Sequence, residues 1–213
     1  MVTHAEMLLA YARRAPVIPV VTIEDARHAI PLARTLVEAG LPVVEITLRT
    51  AAALDAIAAI AKAVPEAIVA AGTVVRAAQI REVADAGAKL IVTPGTPPGL
   101  AEALAAGPIP AMPGCATASE AVALAERGFE VLKFFPAGPS GGPAWLKAIA
   151  GPLPQLTFCP TGGIDPGNAA SYLALRNVAC VGGSWMAPAD AIAAGDFARI
   201  GRLAREAAAL RPA

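Results

Sequence analysis

The sequence predicts a (β/α)8 barrel with an extra helix ahead of its first strand, in a single domain spanning residues 1–213. Three observations predict it. Short β-branched or apolar runs ending in Gly, Pro or Thr recur about every 20 to 28 residues, with Ala/Leu-rich segments of helical period between them. Eight such runs fit within 213 residues, near the lower size of that fold. The competing open, doubly wound sheet usually carries a Gly-rich first turn, and Pro19-Val20-Val21-Thr22 carries none.

In chain order, Thr3 to Ala15 reads as the leading helix. The eight strand runs are Val17 to Val21, Val43 to Thr47, Ile68 to Ala71, Leu90 to Thr93, Ile109 to Met112, Val131 to Phe134, Leu156 to Pro160 and Ala179 to Gly182. The fifth is the weakest, because Pro108, Pro110 and Pro113 crowd it. Helices are marked by their terminators: Ile23 to Ala39 closes on Gly40, Ala77 to Ala86 on Gly87, and Ser119 to Arg127 on Gly128. Ser119 is the expected cap of the last, with no capping box because the neighbouring acid is Glu120.

Composition excludes several classes of function. The 17 basic and 17 acidic residues balance and are scattered, which leaves no footprint for a nucleic acid or an anionic membrane. No apolar stretch has membrane-spanning length, and Met1 to Pro16 lacks the hydrophobic block of a secretory signal, so the expected location is the cytoplasm. Cys115, Cys159 and Cys180 are odd in number and widely spaced, as reduced structural thiols are. His4 and His28 are the only histidines, so no cluster offers the ligands of a catalytic zinc; the expected chemistry uses no metal.

Chemistry is expected at the C-terminal ends of the strands. Lys133 lies in Val131-Leu132-Lys133-Phe134-Phe135, at the end of an apolar run, whereas Lys62, Lys89 and Lys147 sit in ordinary helical or strand-entrance contexts. Withdrawal from water disfavours the ammonium form and frees the amine for attack on a carbonyl. The period of two along Val43 to Arg49 puts Glu45, Thr47 and Arg49 on one face, looking inward. Glu45 is then either an internal ion-pair partner or the proton carrier for chemistry at Lys133. Glu130, three residues before Lys133, belongs to the opposite mouth. Arg49 offers a planar fork for a carboxylate and Thr73 a hydroxyl from the next strand end, a pairing that suggests an α-keto acid. Pro94 and Phe135 supply apolar walls. Gly162-Gly163 and Gly182-Gly183-Ser184 close the last two strands, where backbone amides can approach a phosphate.

These segments resemble those of the 2-keto-3-deoxy-6-phosphogluconate (KDPG) aldolases, class I enzymes associated with 4-hydroxy-2-oxoglutarate (KHG) cleavage. The matching stretches are Val44 to Thr50, Ala71 to Val74, Lys133 to Ala137, Cys159 to Ile164 and Val181 to Trp185, five motifs in order between about Ala15 and Pro188. The resemblance implies Lys133 as the Schiff-base lysine and Glu45 as general acid/base, with Arg49 and Thr73 on the pyruvyl carboxylate. It implies Thr161 near the sugar hydroxyls and Gly162, Gly163 and Ser184 on the phosphate. It also implies a cofactor-free homotrimer acting on a phosphorylated keto-deoxy sugar acid and releasing pyruvate in the Entner–Doudoroff route. One departure is Ala137-Gly138-Pro139, where such enzymes usually carry an acid after Pro-Ala. Two other readings use the same residues: a phosphosugar isomerase or epimerase with Glu45 as base, and a catalytically silent sugar-phosphate binding protein.

Overall fold

The computed structural model describes residues 3–210. Helix α1 (His4–Ala12) begins at a capping box in which Thr3 accepts from the Glu6 amide and Glu6 reaches back to Thr3. There follow β1 (Val17–Val21), a short 3-10 turn (Ala26–His28) capped by Asp25, α2 (Ala29–Glu38), β2 (Val43–Thr47), α3 (Ala53–Ala63), β3 (Ile68–Gly72), α4 (Ala77–Asp85), β4 (Leu90–Val92) and α5 (Pro98–Ala105). Then come β5 (Ala111–Met112), β6 (Gly114–Cys115), α6 (Ala118–Ala125), β7 (Val131–Phe134), α7 (Gly142–Ile149), β8 (Thr157–Pro160), α8 (Ala169–Leu173), β9 (Val181–Gly183), α9 (Ala189–Ala194) and α10 (Phe197–Ala208). Gly40 and Gly87 follow α2 and α4 with φ of 92° and 94°, the left-handed geometry that lets the chain leave a helix. The cap of α6 lies two residues before the expected Ser119. Thr117 accepts from the Glu120 amide and Glu120 accepts from Thr117, a capping box that starts the helix earlier.

All strand pairs are parallel, but the expected continuous eight-stranded (β/α)8 ring is not formed. The strands divide into a six-stranded sheet, ordered β5-β4-β3-β2-β1-β9, and a three-stranded sheet, ordered β6-β7-β8. Proline explains both seams. The fifth run breaks at Pro113, whose carbonyl accepts from Lys133 N at 2.9 Å while its nitrogen, facing the same neighbour, has no proton to return. At the other seam Phe158 N donates to Asn177 O at 2.8 Å and Ala179 N to Phe158 O at 3.0 Å. Two residues further on, Pro160 faces the same side and cannot continue the ladder, so only isolated bridges, Phe158 with Val178 and Thr161 with Gly182, join β8 to the strand beyond it.

Two layers of core follow from strand alternation. Val17, Val21, Val44, Ile46, Leu132, Phe134 and Phe158 point outward and pack under the helices. Ile18, Val43, Ala70, Leu90, Val92, Met112, Val131, Cys159 and Cys180 point inward from both sheets, and Leu8 and Ala12 of α1 join them. Leu8 also lines a small cavity of about 100 Å³ with His4, Arg127 and Glu130, so α1 covers the N-terminal end of the strands and Glu130 lies at that mouth. No helix among the described residues is long and apolar enough to cross a membrane.

Candidate active site

Among the described residues, Glu45 and Lys133 are the only buried side chains that carry a formal charge, at 4% and 5% exposure. They meet. Lys133 Nζ lies 3.1 Å from Glu45 Oε1, a contact between the smaller sheet and the larger across the interior. Lys62, Lys89 and Lys147 are all exposed. The Lys133 backbone is braced on both sides, in register with Gly114 on β6 and Cys159 on β8. Behind it Phe134 stacks on Trp145 at 4.3 Å between ring centres, and Trp145 meets Phe158 edge-on at 5.6 Å, which fixes the outer face of β7 and β8. Nζ sits 5.4 Å from the centre of the Phe135 ring, a cation–π distance.

Two glycines allow close approach here, one to the carboxylate and one to the neighbouring strand end. Gly72 is paired with Thr47 at the end of β3, and a Cβ there would collide with the Glu45 carboxylate. Gly114 lies so close to Thr93 and Pro94 that a Cβ would come within 2.6 Å of the Pro94 carbonyl. A hydroxyl knot holds this approach: Gly114 N donates to Thr93 Oγ1 at 2.8 Å, Thr93 and Thr96 share a hydrogen bond of 2.8 Å, and Thr96 donates to Gly114 O at 3.0 Å. The sequence marked Pro94 here but gave Gly72 and Gly114 no role. Their signal was a glycine inside a strand, which commonly marks close approach of another chain segment.

Above the pair opens a cavity of about 350 Å³ lined by Val20, Thr22, Arg49, Phe135, Thr161, Ile164, the glycines 162, 163, 182 and 183, Ser184 and the start of α9. Arg49 is exposed and its side chain has no hydrogen-bonded or ion-paired partner among the described residues, so the guanidinium is free to take an anion. Its backbone is nevertheless fixed, because Arg49 N donates to Thr47 O at 2.8 Å and Thr50 Oγ1 donates to Ile23 O at 2.5 Å. Gly162 and Gly163 adopt φ of 93° and 76°. Gly138 N donates to Gly162 O at 2.9 Å, so the loop that departs from the family pattern buttresses this turn. Thr161 is buried, and a Cβ on Gly182 would strike its hydroxyl. Thr73 and Pro94 do not line this cavity; Thr73 directly follows β3, and Pro94 lies two residues beyond β4. Thr73 has φ of 60°, the left-handed region, which costs a non-glycine residue about 1–3 kcal/mol and gathers at functional sites.

The three cysteines are free and buried. Burial, and secondarily the charge of Glu120, pushes the Cys115 thiol up to about 12. A hydrogen bond donated to its neighbour Cys159, together with burial, raises Cys180 as well. Neither thiol is positioned as a thiolate nucleophile.

A sheltered amine beside one carboxylate, under a cavity lined by a free guanidinium and glycine turns at strand ends, has the parts of a carbonyl-attacking lyase. A sequence model of the KDPG and KHG aldolases matches residues 9–203, and the chain belongs to that family. It is 51% identical over 205 residues to the KHG/KDPG aldolase of Escherichia coli (strain K12), covering 96% of this chain and 95% of that one. The 2-dehydro-3-deoxy-phosphogluconate aldolase of Dickeya dadantii is 49% identical over 207 residues, 97% of this chain and 96% of the relative. Among solved structures, the KDPG aldolase of Legionella pneumophila, with pyruvate captured at low pH as a covalent carbinolamine intermediate, superposes with a TM-score of 0.92. It shares 41% identity, over 94% of this chain and 97% of that one.

Proposed function

We propose that this aldolase reversibly cleaves 2-keto-3-deoxy-6-phosphogluconate to pyruvate and glyceraldehyde 3-phosphate, and also cleaves 4-hydroxy-2-oxoglutarate. The observation that carries the reading is the 3.1 Å contact between the buried Lys133 amine and the buried Glu45 carboxylate. Lys133 Nζ attacks the C2 ketone to give a carbinolamine, and loss of water gives the iminium. Removal of the C4 hydroxyl proton then breaks the C3–C4 bond, whose electron pair moves into the enamine and releases the aldehyde. Protonation at C3 and hydrolysis free pyruvate and restore the amine. Glu45 carries the protons of these steps, a contribution of about 10²–10⁴-fold. Arg49 and Thr73 hold the carboxylate beside the ketone, Pro94 and Phe135 keep water from the iminium, and Thr161 faces the sugar hydroxyls. Gly162, Gly163, Gly183 and Ser184 hold the phosphate in the cavity above. No step calls on a metal or an organic cofactor.

The test is reductive trapping. Borohydride with pyruvate is expected to modify Lys133 alone, as read by peptide mass spectrometry, and to abolish pyruvate release from KDPG. An unmodified Lys133, or turnover retained in Lys133→Ala, would refute the mechanism. The reading also carries a cytoplasmic homotrimer, checked by light scattering at three times the chain mass.

A further inference from the structure

In the sequence Thr22 stands out only as a first-turn residue without glycine, yet it lines the active-site cavity and its hydroxyl has a fixed polarity. Strand alternation turns Ile18, Val20 and Thr22 inward while Val21 and Ile23 pack outward. Thr47 Oγ1 donates to the carbonyl of Val21 at 3.0 Å, and Thr22 Oγ1 lies 2.9 Å from Thr47 Oγ1. A hydroxyl has one proton, and a carbonyl can only accept. The Thr47 proton is therefore committed to Val21, and Thr22 must donate to Thr47. No other donor among the described residues is hydrogen-bonded to Thr22 Oγ1. What Thr22 shows the cavity is a lone pair.

We infer that Thr22 determines substrate specificity by accepting a hydrogen bond from the C5 hydroxyl of the sugar acid, favouring KDPG over KHG. The inference rests on the proposed aldolase reading. Its placement follows from register: Val20 is aligned with Glu45, so Thr22 stands one inward step, about 6.6 Å, beyond the level of the reacting pair. Strand β1 runs between β2, which leads to Arg49, and β9, which ends at Gly183. Thr22 thus lines the wall between the free guanidinium and the glycine turns, where the carbons between ketone and phosphate must pass. At C5 the two substrates differ in hydrogen-bonding sense. KDPG carries a hydroxyl there, which can donate. KHG carries a carboxylate, which can only accept and meets the Thr22 lone pair unfavourably.

The test compares kcat/KM for both substrates in the unaltered chain and in Thr22→Val, Thr22→Ser and Thr47→Val. Thr22→Val keeps shape and removes the acceptor, so kcat/KM for KDPG is expected to fall about tenfold while that for KHG stays level or rises. Thr22→Ser retains the hydroxyl and should keep the parent ratio. Thr47→Val frees the Thr22 proton and should move the ratio toward KHG without a substrate contact of its own. Equal losses on both substrates, no change in Thr22→Val, or an unmoved ratio in Thr47→Val would overturn the assignment. If the unaltered chain cleaves neither substrate and traps no pyruvate on Lys133, the aldolase reading itself falls and this assignment with it.

Discussion

Replacing Gly72 by alanine adds one methyl group at the place where the structure leaves no room for it. A Cβ built on Gly72 would overlap the Glu45 carboxylate oxygen and lie 2.7 Å from its Cγ and 2.8 Å from its Cδ. Carbon atoms need about 3.5–4.0 Å, so the side chain of Glu45 must withdraw by roughly 1 Å. The strand itself can accept alanine, because Gly72 has no left-handed φ and its backbone pairs normally with Thr47. The stability cost is that of overpacking, about 1–3 kcal/mol, which in a chain of this size lowers Tm by about 2–4 °C for each kcal/mol. Catalysis should suffer more. A displacement of about 1 Å at a reacting group can cost 10²-fold, and the group displaced here is the proposed proton carrier. Pyruvate release from KDPG, followed in a coupled assay, should therefore fall about 10²-fold in kcat. Lys133 is untouched, so borohydride with pyruvate should still mark it, at a reduced rate. A folded Gly72→Ala enzyme with kcat within about twofold of the parent would show that the position of Glu45 is immaterial and would refute the reasoning.

Two further outcomes are expected. Arg49→Ala should raise KM for both substrates at least tenfold through loss of a charge-assisted hydrogen bond, with the urea midpoint unchanged, because Arg49 is exposed and bonds to no other side chain; a shifted midpoint would reveal a structural role. Stability should fall as the pH rises above about 9, because an unfolded chain releases the Cys115 proton there while the buried thiol, raised to about 12, keeps it. By pH 10 that thiol alone costs about 1.4 kcal/mol. Cys115→Ala should flatten part of this slope in urea denaturation, leaving the part due to Cys180; an unchanged slope would exclude the linkage.

The residues that proved easiest to place from the sequence were those governed by local rules. A lysine among aromatic residues and a glutamate on an apolar strand are both costly to bury, so each pointed to the other before their contact was visible. The glycine terminators after α2 and α4 were equally legible, since the left-handed turn is a local event. Sheet continuity was not. The prolines around the fifth run were noticed, yet their effect depended on which neighbour the nitrogen of Pro113 faces, and that is set by tertiary register. Pro160 is the final residue of its strand as the sequence suggests, but the effect of its missing proton on pairing toward β9 is not visible without the register. Thr117 lost to Ser119 because the helix was started one residue late, which hid the Thr117 to Glu120 spacing of a capping box. The cavity face of Thr22 was hidden for another reason. Its role lies in the direction of a proton, which depends on a carbonyl one residue back and a hydroxyl twenty-five residues on.

The division into two sheets also bears on how the reaction begins. The amine rides on the smaller sheet and the carboxylate on the larger, and their meeting is made by side chains alone. Each is held by a rigid strand: β2 pairs with β3 over Val43 to Thr47, and β7 pairs with β8 over its whole length. Attack on a ketone draws the amine away from its carboxylate partner. A buried charge left without its partner costs about 3–5 kcal/mol, so the separation needs a compensating interaction. On the proposed reading the substrate supplies the replacement, its carboxylate taking the unpaired Arg49 and its phosphate the amides of the glycine turns. Binding energy from groups that do not react is thereby used at the bond that does. On this account an uncharged ketone lacking both anionic groups should find Lys133 still closed against Glu45, because neither the free guanidinium nor the glycine turns would then contribute binding energy.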